Sequence, residues 1–190
     1  MATNLLLVRH GESTWNAAGR LQGATADVPL TRRGHRQARA AAGRLAGERV
    51  AAVWSSDLLR CLQTAEPIAA RHRLPVRTSA LLREQCHGSW EGGPFSRYEP
   101  EILAAGPDWA PPGGESAREV YARAARFLAE LPPIDEDAVV VVVSHGETIR
   151  ALMAAATGVP AEGMARTIVR GGEVVPVVAR SAVEEAQLGV

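Results

Sequence analysis

Four apolar residues in a row, Leu5 to Val8, stop abruptly at Arg9-His10-Gly11-Glu12. A run this short, without alternation, predicts a strand covered on both faces. Between Thr31 and Leu45 the period lengthens, with Ala38, Ala41, Ala42 and Leu45 on one helical face and Thr31 as the N-cap. Val50 to Trp54 predicts a second strand, and Ser55-Ser56-Asp57 the opening of a helix that carries Arg60 and is interrupted at Pro67. A short strand is predicted at Val76 to Thr78. Ser116 and Glu119 stand at capping-box spacing, ahead of Val120, Ala124, Phe127, Leu128 and Leu131 at helical intervals. The five valines from Val139 to Val143 form the cleanest buried strand and end at Ser144-His145-Gly146-Glu147. A helix over Thr148 to Ala156, a last strand over Glu173 to Val178 and a frayed tail from Ser181 complete the pattern.

Strands that alternate with helices, several of them apolar on both faces, predict an α/β three-layer sandwich with a mostly parallel central sheet flanked by helices. Ser89 to Gly114 breaks the rhythm with Gly92-Gly93-Pro94, Pro100, Gly106-Pro107 and Pro111-Pro112-Gly113-Gly114. Trp90, Phe95, Tyr98, Ile102, Leu103 and Trp109 give it apolar anchors, so it is expected as an irregular substrate-cap excursion over about residues 89–116 rather than a linker. The length of 190 residues then fits one domain, residues 1–190.

Composition narrows the chemistry. With 46% hydrophobic and 22% charged residues, the chain is not a disordered one. Basic and acidic residues number 21 each, leaving no net charge to recruit nucleic acid or an anionic membrane. All 21 basic residues are Arg, which excludes lysine Schiff-base chemistry. Cys61 and Cys86 fall in no metal or redox spacing. The residues before Leu5 carry no basic n-region, and no run nears the roughly 20 apolar residues of a membrane span, so a cytoplasmic protein is expected.

The sequence repeats one local device: His10-Gly11-Glu12 and His145-Gly146-Glu147 each follow a buried strand directly. In open α/β sheets, ligands bind at the carboxyl ends of strands. Either histidine alone reads as a strand cap; the pair points to a site. A metal centre lacks a His-Glu-x-x-His, a Cys cluster or an evident third ligand. A neutral imidazole nucleophile flanked by cations is the other reading. Arg9 adjoins His10, and Arg60 sits on the first turn of the helix after the second strand, where guanidinium forks suit phosphate oxygens.

The stretch Leu7-Val8-Arg9-His10-Gly11-Glu12-Ser13-Thr14-Trp15-Asn16 resembles the signature of the histidine phosphatase (phosphoglycerate mutase-like) superfamily, branch 1. The likeness continues in family order through Gln22-Gly23, Pro29-Leu30-Thr31 with Gly34, Ser55-Ser56-Asp57-Leu58 with Arg60, and Gln63-Thr64-Ala65. It runs on through Leu82-Arg83-Glu84 with Gly88, Trp90-Glu91-Gly92, Pro112-Gly113-Gly114-Glu115-Ser116, and Ser144-His145-Gly146 with Ile149-Arg150.

The resemblance implies that His10 becomes phosphorylated and that Glu84 donates the proton. It implies too that Arg9, Arg60 and a cationic His145 hold the phosphoryl group, with Asn16, Gln22, Gly23 and Gly146 completing the binding site. Catalysis by positioning and positive charge fits a phosphoryl group with charge spread over its equatorial oxygens, with neither metal nor cofactor. Flanking cations would favour the free base of His10, and partial burial would help Glu84 keep a proton. Glu12 and Glu147 are expected to orient histidines or fix loops, and His35 and His72 to be solvated. Cys86 reads as a small packing residue, and His87 departs from the aromatic usual in the family. The expected activity is hydrolysis of a small-molecule phosphate ester, with a cofactor-dependent mutase or a catalytically silent binding module as alternatives. The stretch from Ser89 to Ser116 holds one basic residue, Arg97, which favours hydrolysis over gripping a second phosphate. No nucleic-acid or membrane partner is implied, and a homodimer is compatible with the sequence.

Overall fold

In the computed structural model, which describes residues 3–179, five strands form one sheet in the order β3-β2-β4-β1-β5. They are β1 (Thr3–Arg9), β2 (Val50–Ser55), β3 (Val76–Thr78), β4 (Val139–Ser144) and β5 (Val174–Ala179). The first four are mutually parallel, and β5 closes the edge antiparallel to β1. The predicted tail from Ser181 lies outside the described residues. Among the described residues, no helix is long and apolar enough to cross a membrane.

The unbroken apolar runs are explained by helices on both faces. Leu5, Leu7, Val140 and Val142 pack beneath α5 (Ala117–Ala129) and α6 (Gly146–Ala156), while Val8, Val141 and Val143 pack beneath α2 (Arg32–Arg44) and α3 (Leu59–His72). Successive residues of a strand point to opposite faces, so a central strand of a three-layer sandwich has no position left for a polar residue. The capping box of Ser116 and Glu119 and the Thr31 cap both form as expected.

Three expectations need correction. The third helix runs through Pro67 without a break, because Thr64, Ala65, Ile68 and Ala69 are buried on either side of it and packing outweighs one missing backbone hydrogen bond. Ser55-Ser56-Asp57 does not open that helix; it begins at Leu59 with no side-chain cap. The excursion is also less irregular than its prolines suggest, since it contains α4 (Phe95–Ala104), with Pro94 at the N-cap and Pro100 inside. Trp90 stacks on Tyr98 with centroids 4.5 Å apart and meets Trp109 at 5.4 Å, which anchors α4 over the carboxyl edge of the sheet. A short helix that the pattern did not show, α1 (Thr14–Ala17), is closed by a capping box of Ser13 and Asn16.

Candidate active site

The repeated His-Gly-Glu device is a consequence of register. In the β1–β4 ladder, Val8 faces Val143 and Arg9 faces Ser144, so His10 and His145 leave neighbouring parallel strands at the same level. The His10 amide donates to the Ser144 carbonyl at 3.0 Å, adding one rung beyond the strands. The two rings meet edge to face with centroids 5.1 Å apart.

His10 is only 2% exposed, and its Nδ1 lies 2.7 Å from the Gly11 carbonyl oxygen. A carbonyl can only accept, so Nδ1 carries the proton and Nε2 of the neutral ring keeps its lone pair. Burial holds the His10 pKa well below the ordinary histidine value, with the charges of Arg60 and Arg9 adding to the effect and the Gly11 bond opposing it. The loop beneath it is fixed: the Gly11 amide donates to Thr64 Oγ1 at 3.1 Å, and that hydroxyl donates to the Arg60 carbonyl at 2.7 Å. A Cβ on Gly11 would strike the Gly34 carbonyl, so glycine is what lets the loop rest on the first turn of α2.

Arg60 is fully buried. Its Nη1 donates to the Thr25 carbonyl at 2.9 Å and its Nη2 to the Gly23 carbonyl at 2.7 Å. Arg9 Nη1 donates to the Val169 carbonyl at 2.5 Å. These backbone acceptors orient both guanidinium groups but leave the same atom, Nε, buried in each without an acceptor among the described residues. Buried donors of this kind are costly unless an acceptor meets them. Both arginines line a cavity of about 430 Å³ together with His10, Asn16, Gln22, Gly23 and Glu84.

Glu84 sits at the N-terminus of α6, where Oε1 accepts from the amides of Gln85 at 3.0 Å, Glu147 at 3.2 Å and Thr148 at 3.4 Å. Gly146, the first residue of α6, lies between this carboxylate and Arg9: a Cβ there would stand 3.8 Å from each. Asn16 and Gln22 are tied by their oxygens to Ser13, at 3.1 Å to its amide and 2.6 Å to its hydroxyl respectively, which leaves both side-chain NH₂ groups as donors on the cavity wall. Gly23 contributes chiefly the carbonyl that holds Arg60.

His145 departs from expectation. It is fully buried behind His10, and burial, followed by the charges of Arg60, His10, Arg123 and Arg9, pulls its pKa well below the ordinary value. A neutral ring replaces the expected cation. Its Nε2 lies 2.9 Å from Ser56 Oγ and 3.3 Å from Cys61 Sγ. Ser56 thus serves the site, a role that the Ser-Ser-Asp pattern does not show, while its Oγ also accepts from the Leu58 amide at 3.3 Å in the turn that leads into α3. Thr64 stands in the family-like segment Gln63-Thr64-Ala65, but its bonds to Gly11 and Arg60 are visible only in the fold, and Thr25 gives no signal in the sequence. Burial raises the Cys61 pKa far above the usual thiol range, so it is an apolar neighbour and not a thiolate.

Glu12 accepts from Thr31 Oγ1 at 2.7 Å and pairs with Arg33 at 3.2 Å, while Glu147 pairs with Arg150 at 2.5 Å. Glu12 therefore fixes its loop against the start of α2, whereas the Glu147 pair lies within α6; among the described residues neither bonds a histidine. Burial raises the Glu147 pKa, with Arg150 opposing. His35 and His72 are half-buried rather than solvated. Among the described residues, no three His, Cys, Asp or Glu side chains gather as a metal site.

Residues 5–184 match the histidine phosphatase superfamily (branch 1). Glucosyl-3-phosphoglycerate phosphatase of Mycobacterium tuberculosis is 36% identical over 173 residues, covering 84% of this chain and 77% of its own. Phosphoserine phosphatase 1 of Hydrogenobacter thermophilus is 37% identical over 166 residues, covering 82% and 75%. The solved mycobacterial glucosyl-3-phosphoglycerate phosphatase in complex with VO3 superposes with a TM-score of 0.84 at 33% identity, over 92% of this chain and 90% of that one. The chain belongs to branch 1 of the histidine phosphatase superfamily.

Proposed function

We propose that the protein is a metal-independent phosphomonoester hydrolase that acts on a small phosphorylated metabolite through a phosphohistidine at His10. The observation that carries this reading is that Arg9 and Arg60, each with a buried Nε–H that no acceptor among the described residues meets, line the cavity that holds a neutral His10 with a free Nε2 lone pair. A dianionic phosphoryl group satisfies both donors at once. Nε2 of His10 attacks phosphorus in line, the P–O ester bond breaks, and Glu84 gives its proton to the departing alkoxide. Water then attacks the phosphohistidine, Glu84 takes a proton back, and inorganic phosphate leaves with His10 restored. Arg9 and Arg60 stabilise the equatorial oxygens throughout, and the amide groups of Asn16 and Gln22 add neutral donors. His145 acts as a neutral ring packed against His10, and Ser56 sets its orientation.

Relatives named for a phosphoglycerate ester and for phosphoserine support a small phosphorylated metabolite as substrate class. Against a mutase stands Arg97, the sole basic residue between Ser89 and Ser116. It is exposed and lies over the Tyr98 ring at 5.4 Å, so it does not face the cavity. The decisive experiment traps the intermediate. Quenching a turnover mixture without 2,3-bisphosphoglycerate and with EDTA is expected to leave acid-labile, base-stable phosphate on the protein, together with released inorganic phosphate. His10→Ala abolishes both. A label that survives His10→Ala, or activity lost to EDTA and restored by a divalent ion, overturns the proposal.

A further inference from the structure

Beyond the phosphoryl pocket the cleft continues. A second cavity of about 330 Å³ adjoins the first, and Gln85, His87, Ile102, Leu103, Glu147 and Arg150 line both, forming the neck between them. Two of these are neutral polar side chains buried more than nine-tenths: Gln85 is 7% exposed and His87 8%. Gln85 Nε2 is committed to the Glu115 carbonyl at 2.7 Å, which leaves its oxygen as an acceptor. Among the described residues, His87 Nδ1 is buried without any hydrogen-bond partner. An unpartnered imidazole nitrogen in so enclosed a place needs a reason, since an aromatic hydrocarbon ring would fill the space without that cost.

The charged groups around the neck are already spoken for. Glu147 and Arg150 form a closed pair at 2.5 Å, and Arg150 Nε donates to the Ala165 carbonyl at 2.7 Å. In the second cavity, Arg166 donates to the carbonyls of Leu103 and Ala105, and Glu162 pairs with Arg118 at 2.6 Å. The remaining wall is largely apolar, with Ile102, Pro107, Trp109 and Met164. His87 lines the neck, and burial lowers its pKa against the opposing charges of Glu84, Glu91 and Glu115, which favours the neutral ring, a donor and an acceptor at once.

Resting on the phosphatase reading, we propose that Gln85 and His87 form a hydroxyl-binding subsite that selects phosphomonoesters of uncharged polyhydroxylated leaving groups, of the sugar or polyol class. A hydroxyl one or more carbons beyond the ester oxygen bonds His87, and the rest of the leaving group lies against Trp109 and Ile102 in the second cavity. A site built around a hydroxyl rejects the analogue that lacks it, because its own polar groups are then left buried and unpaired.

The test compares kcat/KM within two matched pairs: sn-glycerol 3-phosphate against propyl phosphate, and glucose 6-phosphate against cyclohexylmethyl phosphate, with O-phosphoserine as a charged comparator. The wild type is expected to favour the hydroxylated member by about tenfold or more, the worth of one buried hydrogen bond. His87→Phe, which supplies an aromatic ring without a polar atom, brings both ratios close to one. His87→Gln, which retains a donor and an acceptor, restores part of the preference and guards against a fold effect, and melting temperatures are recorded for both variants. Equal kcat/KM within both pairs for the wild type overturns the subsite while leaving the phosphatase reading intact. So does a preference that His87→Phe leaves unchanged, or phosphoserine turned over faster than either hydroxylated ester. If no ester releases phosphate and His10 takes no label, the phosphatase reading fails and the subsite with it.

Discussion

Replacing Glu84 by Gln isolates the proton from everything else the carboxyl group does. Oε1 is the anchored atom: it accepts from the Gln85, Glu147 and Thr148 amides at 3.0, 3.2 and 3.4 Å. Oε2 has one long contact, to the Glu147 amide at 3.4 Å, and is the oxygen free to carry a proton to a leaving group. The amide oxygen of Gln can keep the Oε1 bonds, that of the Thr148 hydroxyl at 3.5 Å included, and gives up only the long Oε2 contact, so the fold should lose about 0.5 kcal/mol. The lost proton is a different matter. General acid catalysis is commonly worth about 10²–10⁴ in rate, equivalent to about 2.7–5.4 kcal/mol of barrier. That loss should appear in full with an alkyl phosphate, whose alkoxide is strongly basic, and shrink to a few-fold with p-nitrophenyl phosphate, whose phenolate leaves unaided. Single-turnover measurement of phosphohistidine formation is the assay, since slow dephosphorylation would mask the first step under steady-state conditions. Equal losses on the two esters would remove Glu84 from the proton-donor role.

Arg60→Ala removes charge from the phosphoryl group itself, so it should cost about 10²–10³ in the phosphorylation rate on alkyl and aryl esters alike; a loss confined to the alkyl ester would contradict the assignment. The same variant leaves the Thr25 and Gly23 carbonyls without their donor, and its melting temperature should fall measurably. The pH dependence of stability has a defined sign. His10 and His145 are held neutral in the folded chain, with pKa values below the ordinary value of about 6.5 that they regain on unfolding. Between the lowered values and about pH 6.5 the unfolded chain binds the extra protons, so stability rises with pH across that window and is lost as pH falls through it. Melting temperatures measured from pH 7.5 to pH 5 should therefore decline, and His145→Asn should flatten part of the slope; an unchanged slope would show that His145 is not held neutral.

The elements that the sequence revealed are those whose residues answer to one demand. Val139 to Val143 had to be a covered strand, and its ladder with β1 delivers the two histidines side by side. The helices α2 and α5 announced themselves through caps and a single apolar face. Where two demands compete, local pattern misleads. Pro67 and Pro100 look like breaks, yet packing on neighbouring residues carries α3 through the first, and the helix that holds the second is anchored by its own Tyr98 stacked on Trp90, which also meets Trp109. Ser56 looks like a cap because serine usually is one, and only the fold shows it facing His145 across 89 residues of sequence. The charge of His145 escapes local pattern for the same reason: desolvation is a property of the surroundings, which no local motif contains.

The rung from the His10 amide to the Ser144 carbonyl has a bearing on how the protein comes apart. It makes the nucleophile's backbone an extension of the central β1–β4 ladder, whereas Glu84 hangs on a connection between β3 and α5 that is held largely by side-chain and loop contacts. Local openings begin where backbone bonds and buried contacts are fewest. The amide of His10 should therefore exchange with solvent deuterium only on global unfolding, while those around Glu84 exchange through smaller, more frequent excursions. A chain caught in such an excursion has a nucleophile without an acid: still able to take a phosphoryl group from an activated ester, and unable to take one from an alkyl phosphate. Selectivity against weakly activated substrates would then track the free energy of a loop rather than that of the domain, and mild denaturant should sharpen the preference for aryl esters before it reduces the folded population.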